Sequence, residues 1–356
     1  MVSFSETVKV RKVQFRPDLL VVYDQCVNVV DEASAGVEVS DEGVSGGVGD
    51  MGVWVDGFLS EVRKKNLREG RKLAYQYNKL GILSRGARKR MGKAIDILIM
   101  GSKKKIAISP KTGKKFDFKL SFITLTVSSS RIYKHSFCRD NLLQPFLRWL
   151  RRTAGANAYV WKAELQERGQ IHYHLITDVF VDYRVLRKKW NELQEKNGIL
   201  DDFRQKYGHS DPNSTDVHAV WKDSQVKNYL KKYFWKDYFK RKDDQGNEIE
   251  CFDQEAGKDE QSRIIDGKVW DCSVNLKKGN YLSVETSMQF EIALTKLVET
   301  GQVEKIDLDS GVSLFRCSDR RKSIYDFFQY DDYFAIKRFY ENIVEMGYDE
   351  EIVQEN

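Results

Sequence analysis

The chain has 356 residues, room for two domains or for one with long extensions, and its 41% hydrophobic and 12% aromatic content supports packed cores. No stretch approaches the roughly 20 apolar residues that span a bilayer. Residues 1–6 lack a basic region followed by an apolar run, so no secretion signal is expected and the chain is placed in the cytoplasm. The five cysteines, Cys26, Cys138, Cys251, Cys272 and Cys317, are scattered without C-x-x-C spacing, which argues for a reducing compartment and against structural zinc. The net charge of +6 conceals an asymmetry: residues 62–119 hold 19 Lys and Arg against three acids (Glu69, Asp96, Asp117). That concentration points to nucleic acid, with a solvated basic segment as the alternative.

Residues 1–60 carry little chemistry. Short strands are expected between Val8 and Val30, for example at Leu19-Leu20-Val21-Val22-Tyr23, followed by an acidic Gly- and Ser-rich connector over residues 31–52. Residues 61–100 read as a basic amphipathic helix interrupted at Gly81 and Gly86, which either lies on a phosphate backbone or covers the next domain with a charged outer face. Its candidate DNA contacts are Arg85, Arg88, Lys89 and Arg90, continuing into Lys103, Lys104 and Lys105. Then Lys104–Ile108 and Phe116–Leu120 flank a Pro- and Gly-containing turn, a hairpin signal. Thr112-Gly113-Lys114-Lys115 is not a phosphate loop, because the upstream glycine is missing and no other such motif occurs.

Phe122-Ile123-Thr124-Leu125-Thr126-Val127 suits a central strand buried on both faces. A helix follows over residues 141–152, a second over 182–196 with Val185, Leu186, Trp190 and Leu193 on one side, and a strand over 216–221. Between the helices stand two strand-like runs, Tyr159–Gln166 and Gln170–Thr177. In the second, His172 and His174 alternate with apolar residues, so both imidazoles share one face. Gly169 suits the left-handed end of a three-residue hairpin loop. Gln166 then pairs with Gln170 and Glu164 with His172, which brings Glu164, His172 and His174 onto one face. Two neutral imidazoles at that spacing can hold a divalent ion; two solvent-facing histidines on a strand are the bland alternative.

Residues 224–240 read as a helix. Val226, Leu230, Phe234 and Tyr238 form a packing stripe, and Tyr229, Lys232, Tyr233 and Lys236 share a neighbouring face. From this helix alone, tyrosines at the rim of a core and solvated lysines are the simpler account. Beyond Lys240 the composition turns acidic, and structured patterns return over 279–300 and 310–345. The run Tyr333-Phe334-Ala335-Ile336-Lys337-Arg338-Phe339-Tyr340 reads as a helix or a contact surface.

Taken in order, the Phe122–Thr126 strand, Glu164 with His172-Tyr173-His174, and Tyr229-x-x-x-Tyr233-x-x-Lys236 resemble the HUH endonucleases, specifically the two-tyrosine rolling-circle replication initiators of single-stranded DNA phages and plasmids. The resemblance covers roughly residues 103–240. It implies an α+β fold: an antiparallel β-sheet endonuclease domain with packed helices over 103–240, an N-terminal region over 1–60, a basic helical segment over 61–102 and a C-terminal accessory region over 241–356. It implies Glu164, His172 and His174 as ligands of a divalent metal, Mg2+ or Mn2+, with Tyr229 or Tyr233 as nucleophile and Lys236 or Lys232 assisting. The activity it implies is site-specific nicking of single-stranded origin DNA and strand transfer. The helicase domain that often follows in related initiators is missing, so a host helicase and a DNA polymerase are the expected partners, with no membrane. A transposase of the same chemistry and a non-catalytic single-strand-binding protein are the alternatives.

Overall fold

A computed structural model describes residues 6–29, 83–109, 112–166, 169–220, 238–242, 248–252, 265, 267–308, 311–319 and 321–346. Packing divides the chain into two compact units, residues 1–73 with 282–328 and residues 74–281 with 329–356. Each is assembled from distant parts of the sequence, unlike the contiguous segments expected above.

In the first unit, β1 (Glu6–Arg16) and β2 (Leu19–Val29) form one long antiparallel hairpin turning at Pro17-Asp18. The short strands expected in this region are thus two 11-residue arms. They join β12 (Ser283–Glu285), β13 (Val303–Leu308) and β14 (Val312–Cys317) in a sheet ordered β12-β1-β2-β14-β13. Val13, Phe15, Leu20, Val21, Val22 and Phe315 form its core. The 3-10 turn Ile324–Phe327 is tied to it by the Tyr325 hydroxyl, which donates to the Arg16 carbonyl at 2.7 Å.

The second unit is built on a five-stranded antiparallel sheet ordered β11-β6-β7-β5-β8. Its strands are β5 (Leu120–Thr126), β6 (Tyr159–Leu165), β7 (Ile171–Thr177), β8 (Thr215–Val220) and β11 (Trp270–Cys272). The α+β class with an antiparallel sheet is therefore as expected. The hairpin β3 (Lys105–Ile108) and β4 (Lys115–Phe118) leads into β5.

One face of the sheet packs against helices. These are α2 (His135–Cys138), a π turn (Arg139–Leu143), α3 (Gln144–Arg152) and α4 (Tyr183–Lys196), with the short α5 (Asp201–Tyr207) following. Trp190 anchors that layer: its ring meets Tyr173 and Phe146 edge-on, and its indole N–H donates to the Thr126 carbonyl at 2.7 Å. Leu186 and Leu193 are buried beside it, but Val185 is 51% exposed, because its position lies off the buried stripe.

Helix α1 (Arg85–Gly101) is capped by the Ser84 hydroxyl, so Gly86 lies in its first turn and does not interrupt it. Met91, Ala94, Ile95, Ile97 and Leu98 are buried, and Gly101 approaches helix α8 (Tyr330–Glu345), whose Ile336, Tyr340 and Val344 are buried. The aromatic run at 333–340 is therefore helical. A short helix α6 (Val274–Lys278) and, in the first unit, α7 (Met288–Glu299) complete the elements needed here.

The helix expected over 224–240 is corrected at its end. Tyr238–Lys240 belong to strand β9 (Tyr238–Lys242), paired with β10 (Glu248–Phe252); residues 224–237 lie outside the described residues. The register sets Lys242 opposite Glu248 and Lys240 opposite Glu250, pairings that favour antiparallel strands over a continued helix. Among the described residues no helix is long and apolar enough to cross a membrane.

Candidate active site

The β6–β7 hairpin positions the site through local geometry. Gly169 adopts φ +79°, its N–H donates to the Gln166 carbonyl at 2.8 Å, and the Gln166 N–H donates to the Gln170 carbonyl at 2.8 Å. From that closure the register runs Glu164 opposite His172 and Lys162 opposite His174. On the other side of β7, Thr126 stands opposite His172 and Thr124 opposite His174. Opposed residues of antiparallel strands share a face, so carboxylate, ammonium, two imidazoles and two hydroxyls gather on the side of the sheet opposite Trp190.

These groups are knitted together. The Gln166 side-chain N–H donates to His172 Nδ1 at 2.8 Å, which leaves Nε2 as the protonated nitrogen, donating to Thr126 Oγ1 at 2.9 Å. His174 Nε2 donates to Glu164 Oε2 at 3.1 Å, and its Nδ1 accepts from the Thr124 hydroxyl at 3.3 Å. The two imidazoles stack with centroids 5.1 Å apart, and His174 stacks on Phe122 at 5.5 Å. Lys162, fully buried, donates from Nζ to Glu164 Oε1 at 3.2 Å.

Burial pushes the Glu164 carboxyl upward, but the His174 hydrogen bond and the charge of Lys162 outweigh it and bring its pKa down to about 2. Burial, followed by the neighbouring His174, lowers the His172 pKa to about 4 against a weaker pull from Glu164. A carboxylate beside a neutral imidazole is the protonation pattern that a divalent cation requires.

The donor types therefore fit such an ion, and each imidazole has an orienting partner on Nδ1, as metal-ligating imidazoles do. In the rotamers present these side chains bond to one another. Among the described residues, no group of three His, Cys, Asp or Glu side chains stands in a metal-holding arrangement.

Glu164, His172 and His174 are thus brought together. Tyr229, Tyr233, Lys232 and Lys236 lie outside the described residues. Of the basic candidates, Lys89, Arg90 and Lys104 are exposed and Arg88 is half-buried, while Arg85 opens α1. Lys103 pairs with Glu345 and Glu341, and Lys105 donates to the Asp178 carbonyl at 2.8 Å, so both also serve the fold. Sequence reasoning missed the roles of Lys162, Gln166, Thr124 and Thr126. The signal for the threonines was their i, i+2 spacing, which matches that of the histidines once β5 and β7 pair.

Residues 120–238 match the model of a family described as replication-associated proteins of the ORF2 kind. The match starts at the first residue of β5, contains the whole Glu164–His172–His174 hairpin, and ends beyond both candidate tyrosines; it covers about a third of the chain. No curated protein sequence matches the chain. The similarity supports a role in initiating replication.

Proposed function

We propose that this chain is a rolling-circle replication initiator that nicks single-stranded origin DNA by tyrosine attack and later rejoins it. One observation carries the reading: within the span similar to replication-associated proteins, the hairpin register places Glu164, His172 and His174 on one sheet face.

Glu164, His172 and His174 would hold a divalent cation, Mg2+ or Mn2+. Two imidazoles favour Mn2+, whereas Mg2+ has abundance on its side. Bound there, the cation supplies polarisation of a scissile phosphate. Gln166 and Thr124 orient the imidazoles through Nδ1, and Lys162 keeps the Glu164 carboxylate ionised. The hydroxyl of Tyr229 or Tyr233 attacks phosphorus, the bond to the 3′ oxygen breaks, the phenol gives up its proton and the departing oxygen takes one. A phenol with a pKa of about 10 is largely protonated at neutral pH, so the charge of Lys236 or Lys232 favours the attacking phenolate. The 5′-phosphotyrosine keeps the energy of the broken bond, so a later 3′-hydroxyl can reverse the step. The second tyrosine allows another cleavage while the first is occupied. The free 3′-hydroxyl primes a host polymerase, with a host helicase opening the duplex.

The test incubates the full chain with single-stranded oligonucleotides from its own replicon and Mn2+, followed by a denaturing gel. The set comprises the unmodified chain, Tyr229→Phe, Tyr233→Phe, the double variant and His172→Ala. A metal-dependent covalent adduct absent from the double variant and from His172→Ala is expected. DNA binding without adduct or nick on any origin-derived strand would instead leave a binding protein.

A further inference from the structure

A second site lies on the opposite face of the same sheet. A cavity of about 460 Å³ opens where β8, the N-terminal turn of α4 and the β3–β4 hairpin meet. That is within the range of about 300–1,000 Å³ common for small-ligand sites. Phe116, Phe180 and Tyr183 give it aromatic walls; Phe116 and Phe180 meet edge-on at 5.1 Å, and the Arg187 guanidinium lies 5.6 Å from the Tyr183 ring centre.

Three polar atoms on its lining are buried without a hydrogen-bond partner among the described residues: Asp182 Oδ2, Arg187 Nε and Thr215 Oγ1. Their neighbours in the same side chains are used. Asp182 Oδ1 accepts from the Arg184 N–H at 2.8 Å and caps α4, and Arg187 Nη2 donates to Asn213 Oδ1 at 2.6 Å. Thr215 is only 8% exposed. Burying a donor or acceptor unpaired is costly, so three around one cavity call for a ligand that supplies their partners. The set is one acceptor, one donor and one hydroxyl that can be either, between aromatic walls. Two carboxylates on the lining, Asp182 and Asp216, disfavour a phosphate. A flat ring with a donor and an acceptor on adjacent edge atoms fits, and every nucleobase offers such an edge.

Resting on the reading of this chain as acting on single-stranded DNA, we infer that the cavity takes one unstacked base of that strand and reads it. Thr215 stands opposite Leu125, one residue from Thr126, and so faces away from the histidines. Strand β8 is the outermost strand on its side of the sheet. A DNA strand with its scissile phosphate on the histidine face would cross that edge to seat a flanking base behind it.

The test uses the full chain, a randomised single-stranded oligonucleotide pool recovered with the protein and sequenced, and the adduct gel in parallel. Asp182→Asn keeps a capping oxygen for α4 and presents an amide N–H in place of Oδ2. Thr215→Val keeps the shape of the side chain and removes only the hydroxyl. The unmodified chain should select one base at one position, and each variant should relax that preference about tenfold, the discrimination one good base contact provides. Adduct formation with the recovered sequences should persist in both variants. An adduct with the same base preference in all three proteins overturns the inference and leaves the nicking reading intact. Free deoxynucleoside monophosphate binding that both variants lose, without any preference within the strand, also overturns it. Absence of both adduct and bound DNA in every protein removes the functional reading and this inference with it.

Discussion

Asp178 is the first residue after the histidine strand, 1% exposed, and it binds the end of β7 to the start of β6. Its Oδ1 accepts from the backbone N–H groups of Asn157 at 3.0 Å and Ala158 at 3.1 Å, and Oδ2 accepts from the Asn157 amide at 3.0 Å. Lys105 Nζ stands 3.4 Å from Oδ2. Asp178→Ala strips both backbone donors of their acceptor. Each group left unsatisfied costs about 1–3 kcal/mol, so about 3–5 kcal/mol is expected in all. The lost ion pair adds little, because Lys105 is 38% exposed and returns to water. Against a typical total of about 5–15 kcal/mol this is a large fraction. Asp178→Asn, which can keep an oxygen for the backbone donors, should lose about 1–2 kcal/mol, and Lys105→Ala under about 1 kcal/mol. Urea unfolding followed by tryptophan emission measures all three. A cost below about 1 kcal/mol for Asp178→Ala, or an equal cost for Lys105→Ala, would refute the assignment of stability to the backbone hydrogen bonds.

Four further outcomes are expected. A Cβ at Gly101 would sit 2.3 Å from the Tyr340 carbonyl oxygen, so overpacking of about 1–3 kcal/mol should exceed the gain of up to about 1 kcal/mol in helix propensity, and Gly101→Ala should lower the melting temperature. Among the described cysteines, Cys26 is exposed whereas burial pushes the Cys272 thiol up to about 12; a maleimide reagent should label Cys26 in the native protein and reach Cys272 only after unfolding. Burial pushes the Asp271 carboxyl up, but hydrogen bonds from Lys268 and Lys277 hold it below its ordinary 3.8. Its stabilisation is therefore present above that value and lost as pH falls through the folded one, so the deficit of Asp271→Asn, measured by thermal melts, should be constant from pH 5 to 7 and shrink below pH 4. On the proposed metal reading, Thr124→Val and Gln166→Leu should each weaken Mn2+ binding in calorimetry by about tenfold or more while leaving the fold intact.

The candidate site was legible in the sequence where its geometry is local. A three-residue loop ending in a left-handed glycine sets the hairpin register, and the two-residue period of a strand then brings Glu164 opposite His172 and both imidazoles onto one face. Nothing outside residues 164–174 enters that argument. The remaining features depend on long-range pairing, which periodicity does not encode. Thr124 and Thr126 meet the histidines only because β5 lies beside β7, and β11 covers the outer side of β6 from far along the chain. Residues 6–29 share a sheet with residues 283–317, so an N-terminal stretch that reads as featureless is the centre of the first unit. Tyr238–Lys240 continue a helical stripe in the sequence, yet pairing with Glu250–Phe252 makes them a strand. Lys162 reads as a polar residue on a half-buried strand, and only packing shows a fully buried ammonium beside Glu164. Local turns and face alternation follow from the sequence because they depend on a few adjacent dihedrals, whereas tertiary packing decides which strands become neighbours and which charges lose their water.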